Sequence, residues 1–301
     1  MIEISRLTKA YGTGRAVDQL TFTVKAGVVT GFLGPNGAGK STTLRLVVGL
    51  DRPTQGTATV AGRRYADLAH PLRTVGALLD ARAVHPHRTA RDHLRCLAAS
   101  GGIPDRRVDE VLGLVGLEQA AHRRAGAFSL GMSQRLGIAA ALLGDPEVLI
   151  FDEPVNGLDP EGIRWIRELV RNLAAEGRTV LVSSHLMSEM ALTADHLIVI
   201  GRGRLLADTG LAELTGSQSV LVRAARSAEL ARLLSGEGAS IRWSGSALTV
   251  TGMDSAAIGA LAAARGLPLT ELTPQRATLE QAYMDLTRDS AEFSGVWGAD
   301  R

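Results

Sequence analysis

Along residues 1–210, apolar positions fall in short β-branched runs separated by stretches with helical spacing. Strands are predicted over 20–25, 28–33, 57–61, 74–79, 147–151, 179–183 and 196–200, with a helix opening at Lys40 and another over 160–175. Alternation of this kind predicts a layered α/β fold with a parallel sheet. Residues 90–143 stand apart, because their pattern is purely helical. Two amphipathic helices are expected over 90–99 and 106–115. A third begins within Phe128, Ser129, Leu130, Gly131, Met132, Ser133, Gln134 and Arg135, continues through the apolar run 136–143, and stops at Gly144, Asp145 and Pro146.

Beyond Gly210 the texture changes. The small residues at 215–219 read as a linker. Strand 220–224, helix 228–234, strands 240–243 and 247–250, helix 255–264, strand 268–272 and helix 279–287 then follow. That βαββαβ order with a closing helix resembles a small ferredoxin-like module. It carries no cluster of chemically useful side chains. The expected organisation is a main domain over 1–215, an accessory α+β domain over 216–288, and a frayed, disordered tail over 289–301.

Composition narrows the classes. At 301 residues and 45% apolar content the chain can fill one large core and a small one without staples. The single cysteine, Cys96, cannot form an intrachain disulfide and reads as a small, buried or half-buried hydrophobe, which suits a reducing compartment. The formal charge is +2 and no basic run occurs, so no nucleic-acid or lipid-headgroup tail is indicated. Residues 1–6 show neither a positive n-region nor an apolar h-region, so no export signal is visible. The longest apolar stretch, 136–150, is broken at Gly144, and no membrane span is expected.

Three stretches carry chemistry. Gly34, Pro35, Asn36, Gly37, Ala38, Gly39, Lys40, Ser41 and Thr42 follow an apolar strand and open a helix, the context that makes G-x-x-x-x-G-K-[ST] a phosphate loop. Glycines let backbone N–H groups turn inward around phosphates, Lys40 adds a point charge, and the Ser41 hydroxyl can ligate Mg²⁺. Val148, Leu149, Ile150 and Phe151 form an apolar strand ending in Asp152 and Glu153, two carboxylates that can diverge toward a metal-bound water and an attacking water; Pro154 then stops the ladder. Ser183, Ser184 and His185 end the next strand, where the imidazole can bond a γ-phosphate. The start at Ser129 looks like a helix N-terminus built for an anion.

Together, and in this order, these residues resemble the ATPase subunit of ATP-binding cassette (ABC) transporters over about residues 1–215. The resemblance implies a P-loop NTPase (RecA-like) core with antiparallel β and helical subdomains. It makes 34–42 the Walker A loop, 148–153 the Walker B strand, Asn156, Gly157, Leu158 and Asp159 the D-loop, and His185 the switch histidine. Glu153 and His185 become the catalytic pair; Ser41, Asp152 and Asp80 become metal ligands; Tyr11 stacks on adenine with Val17 beside it. The stretch from Phe128 to Arg135 corresponds to the signature, usually L-S-G-G-Q. Its anion is then the γ-phosphate held by a second subunit. A helix N-terminus contributes only ~0.3–1 kcal/mol to a nearby anion, so it reads a phosphate already bound elsewhere. Two chains head to tail would bury two ATP molecules, with Ser129, Gly131 and Asp159 of the D-loop joining the nucleotide-binding residues at the interface.

Departures from the family pattern are Asp80 where a glutamine is usual, and Leu130 and Met132 where Gly and Gln are usual. Aspartate cannot donate as an amide does. Gln134 and Arg135 read as helix packing. His85, Pro86 and His87 read as a solvated loop on the permease-facing side and not a metal site.

The expected function is an ATP-hydrolysing subunit that works with a second copy and drives export of a drug, antibiotic or lipid-like compound through a separate integral membrane permease. It would be peripheral to the cytoplasmic face of the membrane and have no nucleic-acid partner. The C-terminal module resembles the drug- and antibiotic-exporter branch, including daunorubicin-resistance-like subunits. An alternative is a soluble cassette ATPase acting on ribosomes or DNA. Those relatives typically carry two cassettes or long coiled coils, whereas one Walker A and no sustained heptads occur here. A non-hydrolysing regulator is a third class, against which Glu153 and His185 both count.

Overall fold

The computed structural model describes residues 1–215, 218–276 and 278–287, which form two units, one built on Met1–Thr209 and one on Gly210–Asp285. The tail expected over 289–301 lies outside the described residues. In the first unit the chain runs β1 (Ile2–Tyr11), β2 (Gly14–Val24), β3 (Val29–Leu33), α1 (Lys40–Val47), β4 (Gln55–Val60), α2 (Pro71–Thr74) and β5 (Val75–Leu78). It continues through α3 (Ala90–Ser100), α4 (Arg106–Leu114), α5 (Leu130–Leu142), β6 (Val148–Asp152), α6 (Pro160–Ala175), β7 (Thr179–Ser183), α7 (Met187–Thr193), β8 (His196–Gly201) and β9 (Arg204–Gly210).

The central sheet has the order β5-β6-β7-β3-β8-β9, with β5, β6, β7, β3 and β8 all parallel. Every residue of β3 and β7 is buried, which is why these strands read as continuous apolar runs and not as alternation. A second, antiparallel sheet, β2-β1-β4, covers one side. Ile2, Leu7 and Phe22 from that sheet pack with Phe32, Leu44 and Ile198 in one apolar cluster. The Phe22 and Phe32 ring centroids lie 5.6 Å apart. In the helical part, Leu94, Leu112, Leu136 and Ile138 are fully buried.

Several elements differ from expectation. Strand β1 and most of β2 are not expected from the pattern, because the irregularity at Arg6 (φ +45°) puts Leu7 three positions after Ile4 and breaks the alternation, and polar Arg15, Asp18 and Gln19 fill the first half of β2. Helix α7 is only 7 residues long, too short to show a helical period, and edge strand β9 has no buried residue to mark an inward face. The strand expected from residue 74 starts at Val75, since Pro71 opens a helical turn that runs through Thr74. Cys96, expected to be buried or half-buried, is exposed on α3; one methylene and a sulfur are too small to anchor a helix face.

The second unit contains α8 (Leu211–Thr215), β10 (Gln218–Ala224), α9 (Ser227–Gly236), β11 (Ser240–Ser244), β12 (Ala247–Thr251), α10 (Ser255–Ala264), β13 (Leu269–Arg276) and, up to Asp285, α11 (Leu279–Thr287). The residues expected as a linker at 215–219 are thus the last residue of a helix and the start of a strand, with 216–217 outside the described residues. The sheet order β11-β12-β10-β13, antiparallel throughout, is the ferredoxin-like arrangement in which each βαβ crossover leaves room for one strand. Its core is aliphatic, centred on Val220, Val222, Leu230, Leu248 and Ile258.

Helix α5 packs directly against β5 at Gly76, where a Cβ would lie 2.0 Å from the Ala141 carbonyl oxygen. Backbone cannot yield there as a side chain can. Gly76→Ala should therefore lower stability in urea denaturation by about 1–3 kcal/mol, the usual range for overpacking. Gly14→Ala, whose Cβ would meet nothing closer than 3.7 Å, should stay within about 0.5 kcal/mol of the parent.

Candidate active site

Strand β3 runs directly into residues 34–42, and α1 opens on Lys40. The loop is tight enough to exclude side chains at two points: a Cβ on Gly34 would lie 2.6 Å from the Ile200 carbonyl oxygen, and one on Gly39 (φ +99°) 2.3 Å from that of Ala16. Gly39 is the N-cap of α1 and provides no side-chain cap. The N–H groups of the first turn are thereby left for an anion. Lys40, only 8% exposed, donates through Nζ to the carbonyl oxygens of Gly34 at 2.6 Å and Pro35 at 3.3 Å. Burial holds its pKa below the ordinary lysine value, while the nearby Glu153 and Asp152 carboxylates pull the other way. A cleft of about 270 Å³ lies over the loop, lined by Ala16, residues 35–42, Asp152 and Glu153.

The two carboxylates arrive on β6, next to β7 in the sheet. Register places Asp152 opposite Ser183. The buried Ser183 hydroxyl donates to Asp152 Oδ1, and its oxygen accepts from the Glu153 amide at 3.0 Å. A single serine therefore orients both acidic residues. Glu153 has φ +51°, a left-handed conformation that costs a non-glycine residue roughly 1–2 kcal/mol. It is held there on both sides. Besides the Ser183 bond, its carbonyl accepts from Asn156 N at 3.2 Å and from Gln134 Nε2 at 3.0 Å. In this posture Glu153 Oε2 lies 2.7 Å from His185 Nδ1.

Thus Pro35, Asn36, Gly37, Ala38, Gly39, Lys40, Ser41, Thr42, Asp152 and Glu153 share one cleft, Gly34 begins its loop, and His185 joins through Glu153. The other expected site residues lie elsewhere. Tyr11 is 53% exposed; its hydroxyl bonds Asp51 at 3.2 Å and its ring lies under the Lys9 ammonium. Val17, expected to line a base pocket, is fully buried in the core beneath the loop, and the cleft is lined instead by its neighbour Ala16. The Asp80 carboxylate accepts from the Arg82 amide at 2.8 Å and closes its own turn. Asp159 caps α6, accepting from Gly162 N at 2.9 Å. Ser129 caps α5 as expected, accepting from Met132 N at 3.2 Å, and neither it nor Gly131 lines the cleft.

Two contributors escaped the sequence reading. Ser183 ends an apolar strand next to His185, but its task depends on strand register. Gln134, read as packing, is 5% exposed and donates to the Glu153 carbonyl; no local signal connects positions so far apart in the chain.

The donors in the cleft are hard oxygens, the Ser41 hydroxyl and the Asp152 carboxylate. Among the described residues no group of three His, Cys, Asp or Glu side chains could hold a metal alone. That donor set fits Mg²⁺, which keeps waters and takes one or two protein oxygens beside phosphate. Cation, amides, metal oxygens and a carboxylate–imidazole pair can together hold a polyphosphate and activate a water.

Comparison with known proteins agrees. A family model described as ABC transporter matches residues 17–156, and one described as Domain of unknown function (DUF8746) matches 218–280. The bacitracin transport ATP-binding protein BcrA of Bacillus licheniformis is 44% identical over 209 residues, covering 68% of each chain. The lantibiotic transport ATP-binding protein SrtF of Streptococcus pyogenes is 34% identical over 220 residues, 73% of this chain and 94% of that one. Among solved structures, an ATP-binding subunit of an ABC transporter superposes with TM-score 0.66 at 29% identity, covering 72% of this chain and 92% of that one. The dimeric bacterial ABC transporter cassette MJ0796 gives 0.64 at 25% identity, with 70% and 99% covered. A phosphate loop and an acidic strand end meeting at one sheet edge, on a chain this close to transport ATP-binding proteins, place it in the ABC transporter family, as an ATP-binding, ATP-hydrolysing subunit.

Proposed function

We propose that the chain energises export of an antibiotic-like compound through a separate integral membrane permease, as a head-to-tail dimer peripheral to the cytoplasmic face of the membrane. The cargo class follows BcrA and SrtF, whose names tie those proteins to bacitracin and lantibiotic transport. No helix among the described residues is long and apolar enough to cross a membrane. Residues 1–215 act as the nucleotide-binding domain and 216–288 as an accessory domain.

In this reading residues 34–42 hold the β- and γ-phosphates, and Lys40 neutralises their charge. Tyr11 offers its face to adenine. Ser41 and Asp152 would hold Mg²⁺, with Asp80, whose Oδ1 accepts from the Arg82 amide, as the third ligand. The ion, when bound, neutralises charge on the phosphates. Glu153 draws a proton from the attacking water and His185 orients that water and the γ-phosphate. The observation that carries the proposal is the Glu153–His185 contact of 2.7 Å at a cleft that lacks Ser129 and Gly131. The base and the phosphate loop are on one chain, while the signature helix end is free to close the same site on another.

Glu153→Gln should keep ATP binding, measured by equilibrium titration, and lose turnover by roughly 10²–10⁴, the usual contribution of a positioned base; undiminished hydrolysis would refute the assignment. Ser129→Arg and Lys40→Ala dimers should each be inactive, yet co-expressed chains carrying one change apiece should regain the activity of a single site. Full activity from isolated wild-type monomers would contradict the shared site.

A further inference from the structure

Helix α5 touches the segment that carries the catalytic carboxylate at two points. At its first turn the Leu130 side chain fills the space over Gly157, where a Cβ would lie 2.4 Å from Leu130 Cδ2. One turn on, Gln134 Nε2 donates to the Glu153 carbonyl at 3.0 Å. Since a carbonyl can only accept, the amide orientation is fixed by chemistry. Residues 130 and 134 are one turn apart on a helix and share a face. Segment 153–157 is therefore clasped to the helix near both ends, and the clasp at Glu153 bears on a residue held at φ +51°.

We infer that Gln134 is a positioning residue. It keeps the Glu153 backbone in the left-handed turn that aims the carboxylate, and so ties the base of its own site to the helix whose start reads the partner's nucleotide. The inference rests on the shared-site reading. Ser129 begins the helix and Gln134 sits five positions on, so a shift of the helix start when the partner's γ-phosphate binds or leaves is carried rigidly to the Glu153 carbonyl. Occupancy of one site thereby sets base geometry in the other, and the coupling runs reciprocally. No bond forms or breaks in the link; only a hydrogen bond is kept or lost.

Gln134→Met keeps side-chain volume and removes the donor. With ATP binding within about twofold, kcat should fall on the order of tenfold, the size expected from one lost hydrogen bond in the transition state. The decisive measurement uses full-length chains with different affinity tags, purified as mixed dimers so that Lys40→Ala leaves one live site. With Gln134→Met on the chain that keeps Lys40, the live site contains the altered base support, and activity should drop tenfold relative to the pair with Lys40→Ala alone. With Gln134→Met on the same chain as Lys40→Ala, the live site borrows only the signature of that chain, and activity should be unchanged. Equal activity in both pairs, loss in both, or loss only in the second overturns the inference; damage to folding or to the signature would produce one of the last two. Ser129→Arg must give the reverse pattern, silencing the pair only when it shares a chain with Lys40→Ala. If it does not, the shared-site reading fails and this inference falls with it; if it does and Gln134→Met is silent, the reading stands and the inference alone is wrong.

Discussion

Ser183 lies opposite Asp152 in the register of β6 and β7, and its hydroxyl is bonded both to that carboxylate and to the amide of Glu153. Much of the catalytic arrangement depends on this one buried hydroxyl. It orients the acidic group at the phosphate cleft and fixes the first atom of the turn that aims the next one. Parallel pairing makes this possible, because the carboxyl ends of neighbouring strands coincide in space however far apart they are in the chain. β3 supplies the phosphate loop, β6 the carboxylates and β7 the serine and histidine, all to one sheet edge.

Two local preferences are overruled at that edge. A lysine is buried with carbonyl oxygens as hydrogen-bond partners, and a glutamate adopts a backbone conformation suited to glycine. Both are unfavourable taken alone, and both are sustained by a rigid surrounding: the apolar cluster of Val17, Phe32 and Leu44 under the loop and the three hydrogen bonds on the Glu153 peptide. Function is served because a held cation and a held base need little rearrangement when substrate arrives.

Helix α5 works at both ends of its first two turns. Its start carries a serine-capped N-terminus that does not line the chain's own cleft, and its inner face grips the segment from Glu153 to Gly157. Leu130, a departure from the usual signature glycine, is matched by Gly157, whose missing side chain leaves the space it occupies. The second unit has its own aliphatic core and antiparallel sheet.

By itself the sequence determined the phosphate loop, the acidic strand end, the parallel α/β core and the ferredoxin-like order of the last elements, because each is written in contiguous residues whose spacing has a direct physical meaning. Strands β1 and β9 and helix α7 are hidden, since an irregularity breaks the alternation of the first, the edge strand buries no side chain, and the helix is too short to show a period. The burial of Val17 depends on neighbours from distant parts of the chain, whereas Asp80 turns onto the amide of Arg82, two residues on, a local bond that the sequence pattern does not spell out. The tasks of Ser183 and Gln134 also depend on distant neighbours, one set by strand register and the other by the packing of a helix against a loop. Covalent order fixes which groups are available; only the tertiary structure decides which of them meet, because hydrogen bonds reach about 3 Å and recognise distance in space, not along the chain.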